Sequence, residues 1–401
     1  MNELEEFRAE TRAWLEANCP ESMRTPMPSE EMVWGGRNVE FCSEDQKLWF
    51  ERMRDKGWFC PDWPVAYGGG GLDVRRSAIL DAEMRRLHCR PPQINLGIWM
   101  LGPVLLEYAS EEQKQRFLPP MARGEIRWCQ GFSEPNAGSD LASLRTTAVL
   151  DGDDYVINGT KIWTSYGNKS DWMYALVRTG PMVPKQKGIS LIVLDMTSPG
   201  VSVSPIDLIS GKSSFCQVFF DNVRVPRSQL IGEINDGWKL GKALLQHERR
   251  AMSRFSESAL PTHFDLDEYV KRCLPAPQDA DEVALQQRAV ACLMDEQAFS
   301  LTNRRMIDSL SARQDVSGLM AISKLVHTEQ EREKFEILLQ LLGNQSMGWS
   351  GDGFASRDLD LTGAWLMSFA QTIAGGSSEV QLNVIAKRVL GLPDPVQGVR
   401  S

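Results

Sequence analysis

The pattern of apolar and polar positions divides the chain into three zones, and the first is helical. From residue 1 to about 124, apolar residues recur at the spacing of amphipathic helices. Residues 43–46 (SEDQ) and 110–113 (SEEQ) each fit the capping box that begins a helix. Between them, residues 67–71 (YGGGG) predict a turn that separates two elements. Residues 1–124 are therefore predicted to form an N-terminal helical domain.

The second zone, residues 125–232, has the pattern of a sheet. Short runs rich in β-formers recur between turn signals such as Asn158-Gly159. These runs are residues 148–150, 155–157, 189–194 and 217–220. No helical pattern alternates with them, as a parallel sheet would require, so the sheet is predicted to be antiparallel.

The third zone, residues 233–401, returns to helical spacing in long segments. Residues 281–312 and 317–342 carry apolar positions with charges between them, which predicts an antiparallel helix pair within a bundle. Residues 260–282 contain prolines and several acidic side chains and are interpreted as an irregular insertion. The order of helices, sheet and helices predicts an α+β fold.

Composition narrows the function classes. The chain has 401 residues with 44 basic and 53 acidic side chains, a net charge of 44 − 53 = −9, so it has no bulk attraction to nucleic acid or anionic membrane. The acidic N-terminus resembles no targeting signal, and no apolar run reaches 18 residues, so a cytoplasmic location is expected. Eight scattered cysteines and four histidines form no metal-ligand spacing. GxGxxG and GxSxG motifs are also absent from the sequence.

Two stretches of the β zone suit the binding of a planar ligand. Residues 129–140 run from a strand into a loop of small residues, which lets backbone amides and short hydroxyls approach a ligand closely. Residues 158–165 end on Trp163, Thr164 and Ser165, which offer a stacking face and two hydroxyls.

These stretches resemble the flavin-binding signature of the acyl-CoA dehydrogenase family. The matching residues are 131–140 (GFSEPNAGSD), 160–165 (TKIWTS) and 372–381 (TIAGGSSEVQ), with 340–343 (QLLG) as a weaker fourth match. They follow the family's order along most of the chain. The resemblance implies a helical domain, a β domain and a C-terminal four-helix bundle. It also implies FAD, an acyl-CoA substrate, an electron-transfer flavoprotein as electron acceptor, and a tetramer or dimer.

The resemblance also assigns roles to single residues. Trp163 would lie against the isoalloxazine, and Thr164 and Ser165 would bond its N5 and O4 edge. The amide of Gly375 would polarise the thioester carbonyl. The other cofactor candidates would line the flavin and the start of the acyl-CoA channel or contact the ribityl–ADP part. These candidates are Phe132, Ser133, Gly138, Ser139, Gln340, Ser377 and Glu379.

The catalytic base is the main departure from the common family pattern. Many members place a glutamate where this chain has Gly375. Members resembling isovaleryl-CoA dehydrogenase instead supply the base from a Glu-Arg pair at the start of the C-terminal domain. Residues 244–250 (LLQHERR) occupy that place, so Glu248 is the candidate base. Arg249 is expected to orient the helix or pair with a carboxylate, and it joins Ser139 and Gly375 as a substrate-binding candidate.

Other interpretations of these residues remain open. Glutamate beside two arginines on a helix is often a surface ion-pair position. Trp163 could pack within the sheet, and Gln340 could be a solvated helix residue. Loss of the usual glutamate at Gly375 also fits a non-catalytic subunit paired with an active one. A flavin oxidase or monooxygenase on the same fold is a third hypothesis.

Overall fold

The chain folds into two compact units, each of which is described by itself. The computed structural model describes residues 3–28, 31–211, 213–258, 264–312 and 314–393, without the side chains of residues 249–258, 310, 311, 317 and 356. The first unit comprises Met1–Ile206 and Ser213–Ala251, and the second comprises Asp207–Lys212 and Met252–Ser401. The domain boundaries expected at residues 124 and 232 stay a prediction.

The N-terminal zone is helical, as predicted. Ser110 and Gln113 form the complete capping box at the start of one helix. At the other predicted box, Ser43 accepts a hydrogen bond from the Gln46 amide, whereas the Gln46 side chain accepts from the amide of Cys42. The helices are α1 (Glu3–Asn18), α2 (Glu44–Asp55), α3 (Val74–Arg86), α4 (Gly102–Tyr108) and α5 (Glu111–Ala122).

In the part of the middle zone that the structure describes, eight strands form one sheet with the order β6-β7-β3-β2-β4-β5-β8, and β1 pairs with β4 beside this path. The predicted runs lie in β2, β3, β5 and β7, while the fully buried β4 and the short β6 were not predicted. A fully buried strand has no alternation that distinguishes it from a buried helix segment. The strands are β1 (Trp128–Gly131), β2 (Thr147–Asp151), β3 (Asp154–Ser165), β4 (Trp172–Arg178), β5 (Ile189–Asp195), β6 (Val201–Ile206), β7 (Phe215–Pro226) and β8 (Leu230–Ile231).

The predicted antiparallel pairing is confirmed for most strand pairs but is wrong at β4, which pairs in parallel with β1 and, through Thr147 opposite Arg178, with β2. Strand β1 runs parallel to β4, from Trp128 opposite Trp172 to Gly131 opposite Ala175. A parallel pair needs a long crossover connection. Residues 132–171 supply it with the β2–β3 hairpin instead of a helix. The crossover carries both predicted cofactor-binding stretches back to the same region of the sheet.

The two faces of β4 belong to two different hydrophobic cores. Trp172, Tyr174 and Leu176 pack with the N-terminal helices and with α6 (Gly237–Ser258). Met173, Ala175 and Val177 pack into a core within the sheet domain. The side of β4 that carries Tyr174 is therefore the side that α6 covers.

The C-terminal zone is helical, as predicted. The two long helices form an antiparallel pair, because Arg288 near the start of α8 donates to Glu333 and Gln340 near the end of α9. The insertion expected to be irregular contains a helix, capped by Asp265 and anchored by the buried Leu266 and Tyr269. After α6, the helices of the C-terminal zone are α7 (Leu266–Cys273), α8 (Ala280–Ser311), α9 (Ser317–Leu342), α10 (Leu361–Gln371) and α11 (Ser378–Val384).

No helix within the described ranges has both the length and the apolar character needed to cross a membrane.

Candidate functional site

A buried ion pair joins the two cofactor-binding stretches of the first unit. Lys161, with 0% of its surface exposed, donates to Glu134 Oε1 at 2.8 Å and to the carbonyl of Phe132 at 3.1 Å. Glu134 also accepts from the amides of Arg145 at 2.6 Å and Thr146 at 2.9 Å. The pair therefore holds the loop after β1 against β3. A buried charge is stable only when it is paired and hydrogen-bonded in this way.

The pKa values of the two groups reflect the same packing. Burial lowers the pKa of Lys161 to about 8, against the opposing effect of Glu134. Burial alone would raise the pKa of Glu134, but Lys161 and the Arg145 amide bring it below its ordinary value. The sequence motif contained both residues, yet nothing local in the sequence showed that they pair across 27 positions.

The loop held by this pair presents small residues to solvent. The backbone of Ser133 accepts a hydrogen bond from Ile162 at 2.9 Å, which fixes the loop beside β3. Gly138 and Ser139 are exposed. A Cβ atom added to Gly138 would meet no described atom within 4 Å, so packing within the chain does not require glycine there. The open space would admit a close ligand.

Trp163 occupies a β-bulge. Between Lys161 and Thr164, β3 advances three residues while β7 advances two, from Val218 to Cys216. Ile162 and Trp163 therefore stand together opposite Gln217, and Trp163 has a φ of 60°, a conformation that costs a bulky residue roughly 1–3 kcal/mol. The bulge directs the indole outward, where it is 54% exposed. Its ring packs edge-on against Phe215, with the ring centroids 6.1 Å apart.

The two hydroxyls after Trp163 have different surroundings. Thr164 is fully buried, and its Oγ1 makes no hydrogen bond to another described residue. Ser165, the next residue, is half-buried. Because side chains alternate along a strand, Thr164 and Ser165 point to opposite faces. Because Thr164 is buried, Ser165 is the better placed of the two for a ligand on the Trp163 side.

These features fit FAD. An outward indole in a strained bulge offers a face for an aromatic ring, the hydroxyls of Ser133 and Ser165 lie on neighbouring segments, and Gly138 leaves space for close approach. Phe132 itself is buried, and its ring packs edge-on against that of Tyr174, with the centroids 6.1 Å apart. It therefore supports the loop from the core side.

Glu248 lies on the buried stripe of α6. Leu240 and Leu244 are buried in the core that contains Tyr174 and Leu176, and Glu248 follows Leu244 by one turn. Burial, and after it the negative charge of Glu248, raises the pKa of the Tyr174 phenol, so the carboxylate lies within electrostatic range of that phenol. The Tyr174 hydroxyl donates to Met100 Sδ at 3.4 Å.

Glu248 therefore combines partial burial with an apolar neighbourhood. Its side chain is half-buried, which separates it from the fully solvated ion-pair position that its sequence context favoured. Tyr174 is a neighbour that sequence reasoning did not identify. The side chain of Arg249 lies outside the described residues.

The remaining candidates lie in the second unit. The Gly375–Gly376 turn has φ values of 67° and 98°, and the Gly375 carbonyl accepts from Gln381 Nε2 at 3.2 Å. Ser377 caps α11 through the Val380 amide, and Glu379 is exposed in its first turn. Gln340 is exposed on α9, where it accepts from Arg288 at 3.0 Å. The roles predicted for these four residues stay predictions.

Comparison with known proteins matches all three zones of the chain to one family. Residues 1–125 match the acyl-CoA dehydrogenase N-terminal domain, 129–223 the middle domain, and 235–390 the C-terminal domain.

Individual relatives can be matched to nearly the whole length of this chain. The acyl-CoA dehydrogenase IpdE1 of Mycolicibacterium smegmatis is 34% identical over 99% of this chain and 100% of that protein. The solved structure named Tcur3481-Tcur3483 steroid ACAD is 30% identical, covers 98% of both chains and has a TM-score of 0.77. The ChsE4-ChsE5 complex from Mycobacterium tuberculosis is 27% identical over 98% of both chains, with a TM-score of 0.73. The chain therefore belongs to the acyl-CoA dehydrogenase family of FAD-dependent oxidoreductases.

Proposed function

We propose that this enzyme removes two hydrogens from the α and β carbons of an acyl-CoA thioester and forms the trans-2-enoyl-CoA. Glu248 is the proposed base. The observation that carries this proposal is the position of Glu248 on the buried stripe of α6, beside Tyr174. A carboxylate in a water-poor site is well suited to take up a proton near neutral pH.

Different residues of the chain carry out proton removal and carbonyl binding in the proposed reaction. Glu248 takes the α-proton, and the amide of Gly375 binds the thioester carbonyl, which makes that proton more acidic. FAD, when bound, supplies the acceptor for the β-hydride. Leu244, one turn before the base, and Tyr174 belong to the same buried apolar core, which limits water on that side of the helix. Electrons then pass to an electron-transfer flavoprotein.

The proposed FAD contacts lie on both stretches of the β domain and on the C-terminal turn. Trp163 stacks against the isoalloxazine. Ser165 and Thr164 form hydrogen bonds with its polar edge, and Ser165 is the better candidate because it is the more exposed of the two. The other proposed contacts are Phe132, Ser133, Gly138, Ser139, Gln340, Ser377 and Glu379.

The substrate class is proposed from the relatives. One structure that matches 98% of the chain at 30% identity is named a steroid ACAD. We therefore infer an acyl chain that carries a steroid ring system.

A co-catalytic subunit is the second candidate function. The ChsE4-ChsE5 structure is named as a complex of two proteins. Gly375 in place of the common glutamate also fits a chain that works beside a different partner. In that case the flavin site of this chain alone would be incomplete.

The proposed base is tested by anaerobic titration of the purified yellow protein. The substrates are an acyl-CoA whose chain ends in a steroid ring system and octanoyl-CoA. Flavin bleaching is expected with the steroid-ended thioester, and Glu248→Gln should slow it at least ~100-fold, because a positioned base contributes about 10²–10⁴ to the rate.

The matched control is Glu233→Gln, an exposed glutamate just before α6, which should bleach like the parent. Equal bleaching rates for Glu248→Gln and the parent would exclude Glu248 as the base. A purified chain that is colourless alone, and becomes yellow and active only with a second chain, would favour the co-catalytic subunit.

A further inference from the structure

Lys324 connects α9 to the glycine turn of the second unit. Its ammonium donates to the carbonyl of Gly376 at 2.8 Å and to the carbonyl of Thr372 at 3.2 Å. Five residues further along α9, Glu329 accepts from the Ser378 hydroxyl at 2.6 Å. One helix therefore holds the turn at its beginning, its middle and its end.

Two successive carbonyls of the turn are held by side chains. Gln381, which is buried, donates to the Gly375 carbonyl at 3.2 Å, and Lys324 holds the next carbonyl, that of Gly376. The N–H of a trans peptide points away from its own C=O. The N–H groups of Gly376 and Ser377 are therefore directed away from Gln381 and Lys324. The N–H of Gly375 lies just before them, in the segment that Lys324 anchors at the carbonyls of Thr372 and Gly376.

The amides of this turn remain available. The N–H groups of Gly375, Gly376 and Ser377 donate no hydrogen bond to another residue that the structure describes. Gly375 and Gly376 both have positive φ, which glycine adopts without strain. A side chain at Gly376 would also lie 2.6 Å from Gln381 Nε2, so Gln381 occupies the inner side of the turn.

The charge of Lys324 adds to this geometry. Its two acceptors are the carbonyls that enclose residues 373–376, so Gly375 lies between two anchored points. Hydrogen bonds from a charged donor are roughly twice as strong as neutral ones. A neutral side chain of similar length would leave both carbonyls without this donor.

We propose that Lys324 is a positioning residue for the reaction, which holds the Gly375–Gly376 turn so that the Gly375 amide binds the thioester carbonyl. The inference rests on the proposed function, which places that carbonyl at Gly375. Lys324 touches neither substrate nor cofactor in this role and acts through the backbone of the turn.

The test separates carbonyl recognition from general binding. Two CoA ligands are compared by calorimetry on the FAD-loaded enzyme. One is the steroid-ended trans-2-enoyl-CoA, the proposed product. The other is the matching S-(2-alkenyl)-CoA thioether, which lacks only the carbonyl. Lys324→Met should weaken binding of the thioester about tenfold or more and leave the thioether unchanged.

Two further variants keep the comparison interpretable. Lys324→Arg retains a charged donor and should recover part of the thioester affinity. Lys271→Met removes a largely exposed lysine of the same unit and should match the parent for both ligands. Thermal unfolding of each variant checks that it folds, and Lys324→Leu, which also removes the donor, replaces Lys324→Met if the latter does not fold.

Each outcome has one meaning. Equal losses for thioester and thioether, or no loss for either, would overturn the role of Lys324 while parent bleaching by acyl-CoA still supports the proposed function. A parent that binds both ligands equally would overturn carbonyl recognition at Gly375 and the Lys324 inference with it. A parent that neither binds nor bleaches would overturn both proposals.

Discussion

Trp163 shows at the scale of one residue how backbone strain accompanies a proposed binding role. Its φ of 60° is costly for a bulky side chain, and the bulge that imposes it leaves about half of the indole in solvent. Neither the positive φ nor the exposed indole contributes to core packing. A residue that only stabilised the sheet would be expected to bury its ring and keep extended backbone.

We expect Trp163→Ala to weaken FAD binding about tenfold, since an aromatic contact contributes about 0.5–1.5 kcal/mol beyond the buried area. Alanine is easier to place at positive φ than a bulky residue, and this gain offsets part of the buried area lost with the indole. The melting temperature of the flavin-free protein should therefore change by only a few degrees.

The measurement is the flavin-to-protein absorbance ratio during dilution, together with a melting curve of the flavin-free protein. Trp349→Ala, which removes another half-exposed tryptophan, is the control. Unchanged FAD affinity in Trp163→Ala would assign the ring to sheet packing.

At the scale of elements, one carboxylate fastens α1 to α3. Glu83 of α3 is buried, and it accepts from Arg8 at 2.9 Å and Arg12 at 3.0 Å on α1 and from Arg86 at 2.7 Å on its own helix. Hydrogen bonds from Arg12 first, then Arg86 and Arg8, lower the pKa of Glu83 from 4.5 to about 2, although burial opposes the shift. The charged form is therefore the stabilising one.

The sign of the pH dependence follows from this lowered pKa. The stabilisation is fully present above the unfolded-state pKa and is lost as pH falls from about 4.5 toward 2. It amounts to about 2 kcal/mol, allowing for solvent around the arginines. Glu83→Gln should therefore lower the free energy of unfolding by about that amount at pH 6.

Urea unfolding followed by tryptophan fluorescence at several pH values checks this expectation. The difference between parent and Glu83→Gln should shrink as pH falls below 4.5, while Glu10→Gln, an exposed position on α1, should show little difference at any pH. A difference that stays constant down to pH 3 would contradict the linkage.

At the scale of the whole molecule, α8 carries an apolar stripe with no cover in the described structure. Val283, Val290, Met294 and Leu301 are separated by seven, four and seven residues, so they share one face of the helix. All four are exposed, and Met294 is 67% exposed. A row of this kind on a long helix is typical of an interface between chains.

We therefore expect the protein to be an oligomer, as a homotetramer, a dimer or a complex with a related chain. Met294→Asp places a charge on the stripe and should shift the mass measured by light scattering toward the monomer at micromolar concentration. Ser300→Asp adds the same charge to α8 outside the stripe and should leave the mass unchanged. A parent that is already monomeric would refute the assembly.

Much of the architecture was predictable because it depends on local pattern. The long helices α8 and α9 agree with their predicted limits within a residue, and the Ser110 capping box needs only four adjacent residues. The short α7 was missed because prolines and acidic residues resemble a loop, although Asp265 is a typical N-cap. The buried strand β4 was missed because its sequence has no alternation.

The candidate site was predictable only in its parts. Motifs around Trp163 and Gly375 identified the family, because short segments that approach a ligand constrain their residue types closely. Their contacts were not predictable, since the pairing of Lys161 with Glu134 and of Lys324 with Gly376 joins residues 27 and 52 positions apart. No local pattern encodes such distances.

By itself, the sequence determined the α+β class, the order of the three zones and the family, because periodicity and short motifs are properties of neighbouring residues. Only the tertiary structure decided that β1 runs parallel to β4, that a bulge turns Trp163 outward, and that Glu248 lies beside Tyr174. Each of these depends on which distant segments pack together. Packing follows from the burial of whole surfaces, to which any single residue contributes only a small part.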